Sequence, residues 1–251
     1  WGERFDARCE RDEAHARDVT FRQALEPYIC GDAWIEAGID FILGSKVDRI
    51  MPECGSSFLP DGLMAQLKHA ELDGQFIAGE PVELLPPQRP WFRALNTPNW
   101  RHPLFWALAI MIWTFGWSLR RLLQFRTRVI PTRTDQLAGR EIQAVAGILG
   151  VLLLLMWTVT DHQDTWLNWN LIWASPLLPL IALIRRFSSV MADRIRSILA
   201  ISILLFLLGS VFVPQYVSLV STCMAWSVWL SLDPWIWPWR RHGATIFDRN
   251  K

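Results

Sequence analysis

Five apolar runs constrain the fold of this 251-residue chain more than any other feature. They cover residues 103–119, 144–160, 166–184, 198–213 and 216–232. Each run approaches the ~20 residues that an α-helix needs to cross a hydrocarbon core about 30 Å thick. We therefore predict a mainly α protein with an α-helical polytopic membrane bundle of about five transmembrane helices. Four helices is the alternative count.

The third run is the least regular, because Asn168, Asn170 and Pro176 interrupt it. Polar side chains are costly at membrane depth, so we expect both asparagines to hydrogen-bond to other helices or to a lipid headgroup. Proline lacks the backbone N–H that continues a helix. The pattern leaves open whether this run is a continuous helix, a broken helix or partly re-entrant.

The net charge of the chain changes sign near residue 100. Residues 1–100 carry 10 basic and 17 acidic residues, a net charge of −7, whereas residues 101–251 carry 15 basic and 7 acidic residues, a net charge of +8. We therefore predict two parts: a small helical extracytoplasmic segment over 1–100, which belongs to a larger domain, and a transmembrane domain over 101–251. Many of the 16 tryptophans lie at the ends of apolar runs, as is typical of a membrane interface.

Arginine-rich segments alternate with uncharged or acidic loops along the membrane part. Six arginines lie between residues 120 and 140, four lie between 185 and 196, and the tail after 232 is also basic. Residues 161–164 and 214–215 contain no basic residue. Because Lys and Arg mark the cytoplasmic side, the N-terminal segment is predicted outside and the C-terminus in the cytoplasm. The arginines form no continuous stripe, so we expect membrane lipids as partners and no nucleic acid.

The extracytoplasmic segment shows short helix patterns with clear starts and stops. Thr20 and Asp32 are suitable N-caps for two helices that end at Gly31 and Gly44, and a third helix is predicted from about Pro60 to residue 70. A proline-rich stretch over 86–98 then connects to the first apolar run. The segment has few apolar positions and would form only a marginal hydrophobic core by itself. We therefore expect it to pack on further sequence.

Three cysteines, Cys9, Cys30 and Cys54, lie in the extracytoplasmic segment. An oxidising compartment favours disulfides, and an odd number leaves one thiol unpaired. A Cys30–Cys54 bond is one of the pairings that remain open. Cys223 lies within the fifth apolar run, where we expect a buried thiol.

Asp161, His162 and Asp164 form a short polar loop just before the third run. Such residues bind metals or act as acid–base groups, but a solvated loop at the outer interface is the simpler interpretation. Together with Asn168 and Asn170 they form the predicted polar cluster of the membrane part. No cofactor motif is present, and no metal or cofactor is predicted.

Two stretches together resemble a known family of bacterial membrane proteins. The first runs through Thr20-Phe21-Arg22, Ala33-Trp34, Gly38-Ile39-Asp40 and Phe58-Leu59-Pro60; the second contains Asp161-His162 and Asn168-Trp169-Asn170-Leu171-Ile172-Trp173. The chain is similar to the Lnb-type lipoprotein N-acyltransferases, which have an exported N-terminal domain and a polytopic membrane domain. The resemblance covers residues 9–85 and 142–184, about half of the chain.

This resemblance implies an enzyme of the bacterial inner membrane that moves an acyl chain to the N-terminal Cys of a lipoprotein. The family uses a Cys thioester, and the matching position in this chain is Cys9. Arg8 precedes Cys9 where the family has Asn, and the family's following Thr is absent. A structural or unpaired thiol is the alternative role of Cys9.

A non-catalytic membrane subunit or scaffold is the alternative function, with partner membrane subunits in place of a lipoprotein substrate. The partner histidine of the family lies upstream of the matching cysteine. The chain begins at Trp1 without a leader sequence, so we expect that further sequence precedes it.

Overall fold

The computed structural model describes residues 6–7, 19–29, 32–52, 55–68, 70–72, 75–76, 99–127 and 133–233. The chain divides into two compact units. The first unit contains Trp1–Glu36 and Val47–Asn96, and the second contains Ala37–Lys46 and Thr97–Lys251. A ten-residue segment from the N-terminal part therefore belongs with the apolar C-terminal part.

Three short helices form where the local sequence signals predict them: α1 at Phe21–Ile29, α2 at Ala33–Ile42 and α3 at Pro60–Lys68. Thr20 Oγ1 accepts a hydrogen bond from the backbone N–H of Gln23 at 3.2 Å, and Asp32 Oδ1 accepts one from Trp34 N–H at 2.8 Å. These side chains satisfy N–H groups that a helix start leaves without a partner. Both predicted caps are confirmed.

The first unit also contains strands, which we did not predict. Strands β1 (Asp6–Ala7), β2 (Ala70–Leu72) and β3 (Gln75–Phe76) form an antiparallel sheet in the order β1-β2-β3. Two or three residues are too few to show an alternating apolar pattern. In the same unit the Arg22 guanidinium pairs with both Asp48 carboxylate oxygens, at 2.7 and 3.1 Å.

The second unit is a bundle of five helices in the described residues: α4 (Pro103–Arg126), α5 (Arg133–Thr158), α6 (Leu180–Phe187), α7 (Ser189–Gly209) and α8 (Leu219–Ser231). The side chains of His102, Ser188 and Ser218 each accept a backbone N–H at the start of a helix. Helix α8 contacts α4, α5 and α7, and every residue from Ser227 to Asp233 is buried. It is therefore the inner helix of the bundle.

Two segments of the described chain are long and apolar enough to cross a membrane by length and composition: Gly139–Thr158 and Ser189–Phe212. Helix α8 is apolar but has only 13 residues, about 20 Å of helix. Helix α4 has 24 residues, about 36 Å, but contains tryptophans and arginines within its sequence. A count of five spans stays a prediction.

The third apolar run is not a continuous helix. A 3₁₀ turn covers Trp169–Ile172, turns follow over residues 173–179, and only Leu180–Phe187 is α-helical. Two prolines, Pro176 and Pro179, lie in this stretch. The predicted helix boundaries 166–184 are therefore wrong over residues 166–179, where the chain is interrupted as Asn168, Asn170 and Pro176 indicate.

The broken segment is covered by protein on several sides. Trp173, Ala174 and Leu178 are almost completely buried and belong to the apolar core of the bundle. Gly147 and Gly150 of α5 allow it to approach closely, because a Cβ on either glycine would collide with Pro179 or with the Ala174 carbonyl. Non-helical backbone at membrane depth is tolerated only where protein or a water-filled cavity surrounds it. The two glycines provide that close cover.

Candidate functional site

The candidate site lies at the end of α2, within the second unit. The last carbonyl groups of an α-helix have no partner inside the helix. Asn168 Nδ2 donates hydrogen bonds to the carbonyls of Phe41, at 2.7 Å, and Ile42, at 2.8 Å. Asn170 Nδ2 also donates to the Phe41 carbonyl, at 3.0 Å. Two asparagines of the broken segment therefore cap the C-terminus of α2.

A third carboxamide completes the arrangement. Gln215 Nε2 donates to the Leu43 carbonyl at 3.1 Å and to Asn168 Oδ1 at 3.2 Å, while Gln215 Oε1 accepts the Trp169 backbone N–H at 2.7 Å. We call Asn168, Asn170 and Gln215 the amide cluster. None of the three exposes more than 4% of its surface. Buried polar groups need partners, and this cluster supplies them to helix ends and turns.

The remaining oxygen atoms of the asparagines also have partners. Asn168 Oδ1 accepts the backbone N–H of Asn170 at 2.9 Å, and Asn170 Oδ1 accepts the indole N–H of Trp173 at 3.0 Å. The Trp173 ring in turn lies 5.6 Å from the Phe41 ring between centroids. The hydrogen bonds and the aromatic contact thus fix the same two segments to each other.

Backbone contacts continue the attachment beyond the helix. The N–H of Gly44 donates to the Asp164 carbonyl at 2.9 Å, and the N–H of Ser45 donates to the Leu167 carbonyl at 3.4 Å. Any Cβ at Gly44 would collide with the Trp166 carbonyl. We call residues 41–46 the clamped segment, since side chains hold its first part and backbone hydrogen bonds hold its second part.

Lys46 is the last residue of the clamped segment and contacts Trp166. Its ammonium nitrogen lies 4.3 Å from the centroid of the Trp166 ring, which is close enough for a cation–π interaction. The amide cluster itself contains no ionisable side chain, so it performs no acid–base chemistry. Its geometry is that of a positioning device.

The predicted polar residues divide into two groups. Asn168 and Asn170 lie together and are buried, as polar residues at membrane depth should be. The side chains of Asp161, His162 and Asp164 are exposed and are not members of the amide cluster, although the backbone carbonyl of Asp164 accepts a hydrogen bond from Gly44 of the clamped segment. Within the described residues, no group of three or more His, Cys, Asp or Glu side chains is arranged to hold a metal ion.

Gln215 is the member of the cluster that sequence reasoning missed. The Pro214-Gln215 pair was interpreted only as a tight connection between two apolar runs. An uncharged polar residue between two apolar runs was the available signal. The predicted nucleophile Cys9, together with Cys30 and Cys54, lies outside the described residues, whereas Cys223 is buried in α8 as expected.

A buried ion pair lies at the opposite end of the bundle. Arg121 Nη2 of α4 is 2.7 Å from Asp233 Oδ2, and the two side chains expose 8% and 10% of their surface. Asp233 follows α8 with a positive φ of 51°. Beside this pair, Gln143 Nε2 of α5 donates to the Ser231 carbonyl at 2.9 Å. Sequence reasoning assigned Arg121 to topology and to contact with membrane lipids, and it did not predict the Asp233 partner.

A family model described as the Lnb transmembrane domain matches residues 96–237, more than half of the chain. The chain belongs to the Lnb transmembrane-domain family. The resemblance stated from the sequence is thereby confirmed, and the protein is a membrane protein with transmembrane helices. Searches of curated proteins and of solved structures gave no match.

The matched Lnb domain contains α4 to α8, the amide cluster and the Arg121–Asp233 pair. The clamped segment lies outside the matched residues. The Lnb domain of this chain therefore holds, through buried hydrogen bonds, a piece of sequence that precedes it by about fifty residues.

Proposed function

We propose that this protein is a lipoprotein N-acyltransferase of the bacterial inner membrane. The observation that carries the proposal is the match to the Lnb transmembrane domain, together with a buried amide cluster that fastens residues 41–46 to that domain. Chemistry on a lipid-anchored substrate requires that the reacting groups stay at the membrane surface. Residues 41–46, which the bundle holds, come from the N-terminal half of the chain, and this attachment serves that requirement.

The proposed orientation has the clamped segment outside and the C-terminus in the cytoplasm. The arginines between residues 120 and 140 and between 185 and 196 flank the helix ends near the Arg121–Asp233 pair, where α4 and α6 end and α5 and α7 begin. Residues 161–164 and 214–215 flank the amide cluster and contain no basic residue. This distribution of charge supports the orientation through the positive-inside rule.

The proposed reaction proceeds in two acyl transfers through Cys9. The Cys9 thiolate attacks the carbonyl carbon of an acyl ester of the lipoprotein's glyceryl lipid, the ester C–O bond breaks, and the released alkoxide takes a proton. The N-terminal α-amine of the lipoprotein then attacks the thioester carbonyl. The C–S bond breaks, the amide forms, the amine loses a proton to a base, and the thiolate is restored.

Mass spectrometry of a lipoprotein's N-terminal peptide tests this function. In cells that depend on the full-length protein for N-acylation, Cys9→Ser should abolish the N-acyl form, because serine is not deprotonated near neutral pH. Cys223→Ser, at a buried thiol within α8, is the matched control and should retain N-acylation. Normal N-acylation with Cys9→Ser would refute the role of Cys9.

The second candidate function is a non-catalytic subunit that anchors a membrane complex. It is favoured by the surroundings of Cys9, where Arg8 replaces the family's Asn and the family's following Thr is absent. In that case neither cysteine substitution would alter N-acylation, and the tagged protein would purify from the membrane with a stoichiometric partner.

A further inference from the structure

A tight corner joins α6 to α7 within the second unit. Ser188 alone separates the two helices, and its side chain caps α7 by accepting a backbone N–H at 3.2 Å. Across the corner, Arg185 Nη2 of α6 lies 2.6 Å from Asp193 Oδ1 of α7. On the inner side of the corner, Ile181 and Ala192 are buried in the apolar core of the bundle. Contacts within the second unit therefore fix the geometry of this corner.

The outer side of the corner is apolar and exposed. Phe187, Val190 and Met191 leave 85%, 60% and 50% of their surface uncovered. Phe187 ends an exposed apolar face of α6 that also contains Leu180 and Leu183, since residues three or four positions apart share one face of a helix. A contiguous apolar patch of this kind marks a surface that contacts a protein or a lipid.

The exposed face of α7 decides between protein and lipid. Helix α7 lies in Ser189–Phe212, a segment long and apolar enough to cross a membrane, and only 17% of its most apolar stretch is buried inside the protein. Val190 shares a face with four exposed apolar residues that follow at helical spacing: Ile198, Ile201, Leu205 and Leu208. On a membrane-spanning helix such a face contacts lipid chains, which are as apolar as leucine. The patch at the corner is therefore continuous with a lipid-facing surface.

Two exposed arginines lie at the same corner. Arg194 is four residues before Ile198, about 6 Å along the same face of α7. A charge beside lipid chains is costly, so a guanidinium at this position extends towards the phosphate layer. Arg186 is exposed at the end of α6. Residues 185–194 contain three arginines and one aspartate, so the corner carries a net charge of +2.

We propose that the α6–α7 corner binds an anionic phospholipid at the membrane interface. Phe187, Val190 and Met191 contact the glycerol region and the first part of the acyl chains, while Arg186 and Arg194 contact the phosphate. Arginine suits this contact because its planar guanidinium donates two parallel hydrogen bonds to a phosphate. The proposal rests on the membrane-spanning bundle and needs neither the acyl-transfer reaction nor the proposed orientation.

Photocrosslinking tests which lipid lies at the corner. The full-length protein is reconstituted in vesicles that contain equal amounts of phosphatidylethanolamine and the anionic phosphatidylglycerol. A benzophenone amino acid replaces Phe187 or Val190 in separate variants, so the test stays informative if one of them fails to fold. Leu205, exposed further along the lipid-facing side of α7, is the reference position. Mass spectrometry of the adducts gives the ratio of the two lipids at each position.

We expect phosphatidylglycerol to be enriched several-fold over phosphatidylethanolamine at position 187 or 190, but not at position 205. Combining Arg186→Gln with Arg194→Gln should remove the enrichment, whereas Arg194→Lys should keep most of it, because lysine still provides a charge for the phosphate. Arg126→Gln, at an exposed arginine that ends α4, is the matched control and should leave the enrichment unchanged.

Three results would overturn the proposal. The first is a lipid ratio at positions 187 and 190 equal to that at position 205. The second is an enrichment that survives the double arginine substitution or falls equally with Arg126→Gln. The third is crosslinking of both positions to another part of this chain or to a second protein.

Discussion

Replacing Asn168 by Ala tests the amide cluster most severely. The substitution removes two donated hydrogen bonds, to the carbonyls of Phe41 and Ile42, and two accepted ones, from Asn170 and Gln215. Each buried hydrogen bond contributes about 1 kcal/mol net, so we expect a loss of about 4 kcal/mol in the free energy of unfolding. The Phe41 carbonyl keeps its bond from Asn170, which limits the loss.

The Asn168→Asp substitution separates the effect of hydrogen bonding on stability from the effect of side-chain size, because Asp and Asn have nearly the same shape. An ionised carboxylate would bring an oxygen to within about 2.7–2.8 Å of two carbonyl oxygens, in place of the donating amide nitrogen. We therefore expect Asn168→Asp to destabilise the protein at neutral pH at least as much as Asn168→Ala. Protonation of the introduced carboxylate restores a donor, so part of the lost stability should return as the pH falls.

Two assays on the purified protein in detergent measure these effects. Denaturant titration followed by tryptophan fluorescence gives the stability, and hydrogen exchange reports the N–H groups of Gly44 and Ser45, which should exchange faster in both variants. Gln163→Ala, which removes an exposed carboxamide from the neighbouring loop, is the control and should stay within about 0.5 kcal/mol of wild type. If Asn168→Ala matches that control in both assays, the cluster does not hold the clamped segment.

Three further predictions concern other contacts. Gly44→Ala should lower the free energy of unfolding by about 1–3 kcal/mol, because the added Cβ has no space. Gly38→Ala, where a Cβ meets no atom within 4 Å, should leave the free energy of unfolding unchanged or raise it slightly in the same titration. Arg121→Ala and Asp233→Ala should each cost about 3–5 kcal/mol by leaving a buried charge unpaired, and the double variant should cost less than the sum. The pKa of Tyr28 is raised because its hydroxyl donates a hydrogen bond to a carboxylate of α3. This contact therefore stabilises the folded protein below about pH 10 and is lost as the pH rises further. Ultraviolet titration of the chain's two tyrosines should show one late transition, which Tyr28→Phe removes.

Local signals in the sequence predicted local structure correctly. Thr20 and Asp32 marked the starts of α1 and α2 because a capping side chain acts on N–H groups two or three residues ahead. Asn168, Asn170 and Pro176 indicated an interruption of the third run for the same reason: their effects on the backbone are local. The strands of the first unit escaped prediction because they are too short for a periodic pattern.

Long-range contacts could not be predicted in this way. The carbonyl of Leu43 and the amide of Gln215 are 172 positions apart in the chain, and no periodic pattern links them. The Arg121–Asp233 pair joins residues 112 positions apart, although an arginine within an apolar helix was a visible reason to expect an acidic partner. Sequence reasoning predicted that Asn168 and Asn170 needed partners at membrane depth, but it missed Gln215 and the Arg121 pair, and in each case the fold determined the partner.

Intact-mass and peptide analysis of the full-length protein, purified after exposure to a diacylated lipoprotein, tests the proposed function most directly. We predict an acyl adduct on the peptide that contains Cys9, removed by neutral hydroxylamine as a thioester is, and absent in Cys9→Ser. An unmodified Cys9 in a preparation that N-acylates the lipoprotein, or an adduct that maps to another residue, would contradict the mechanism.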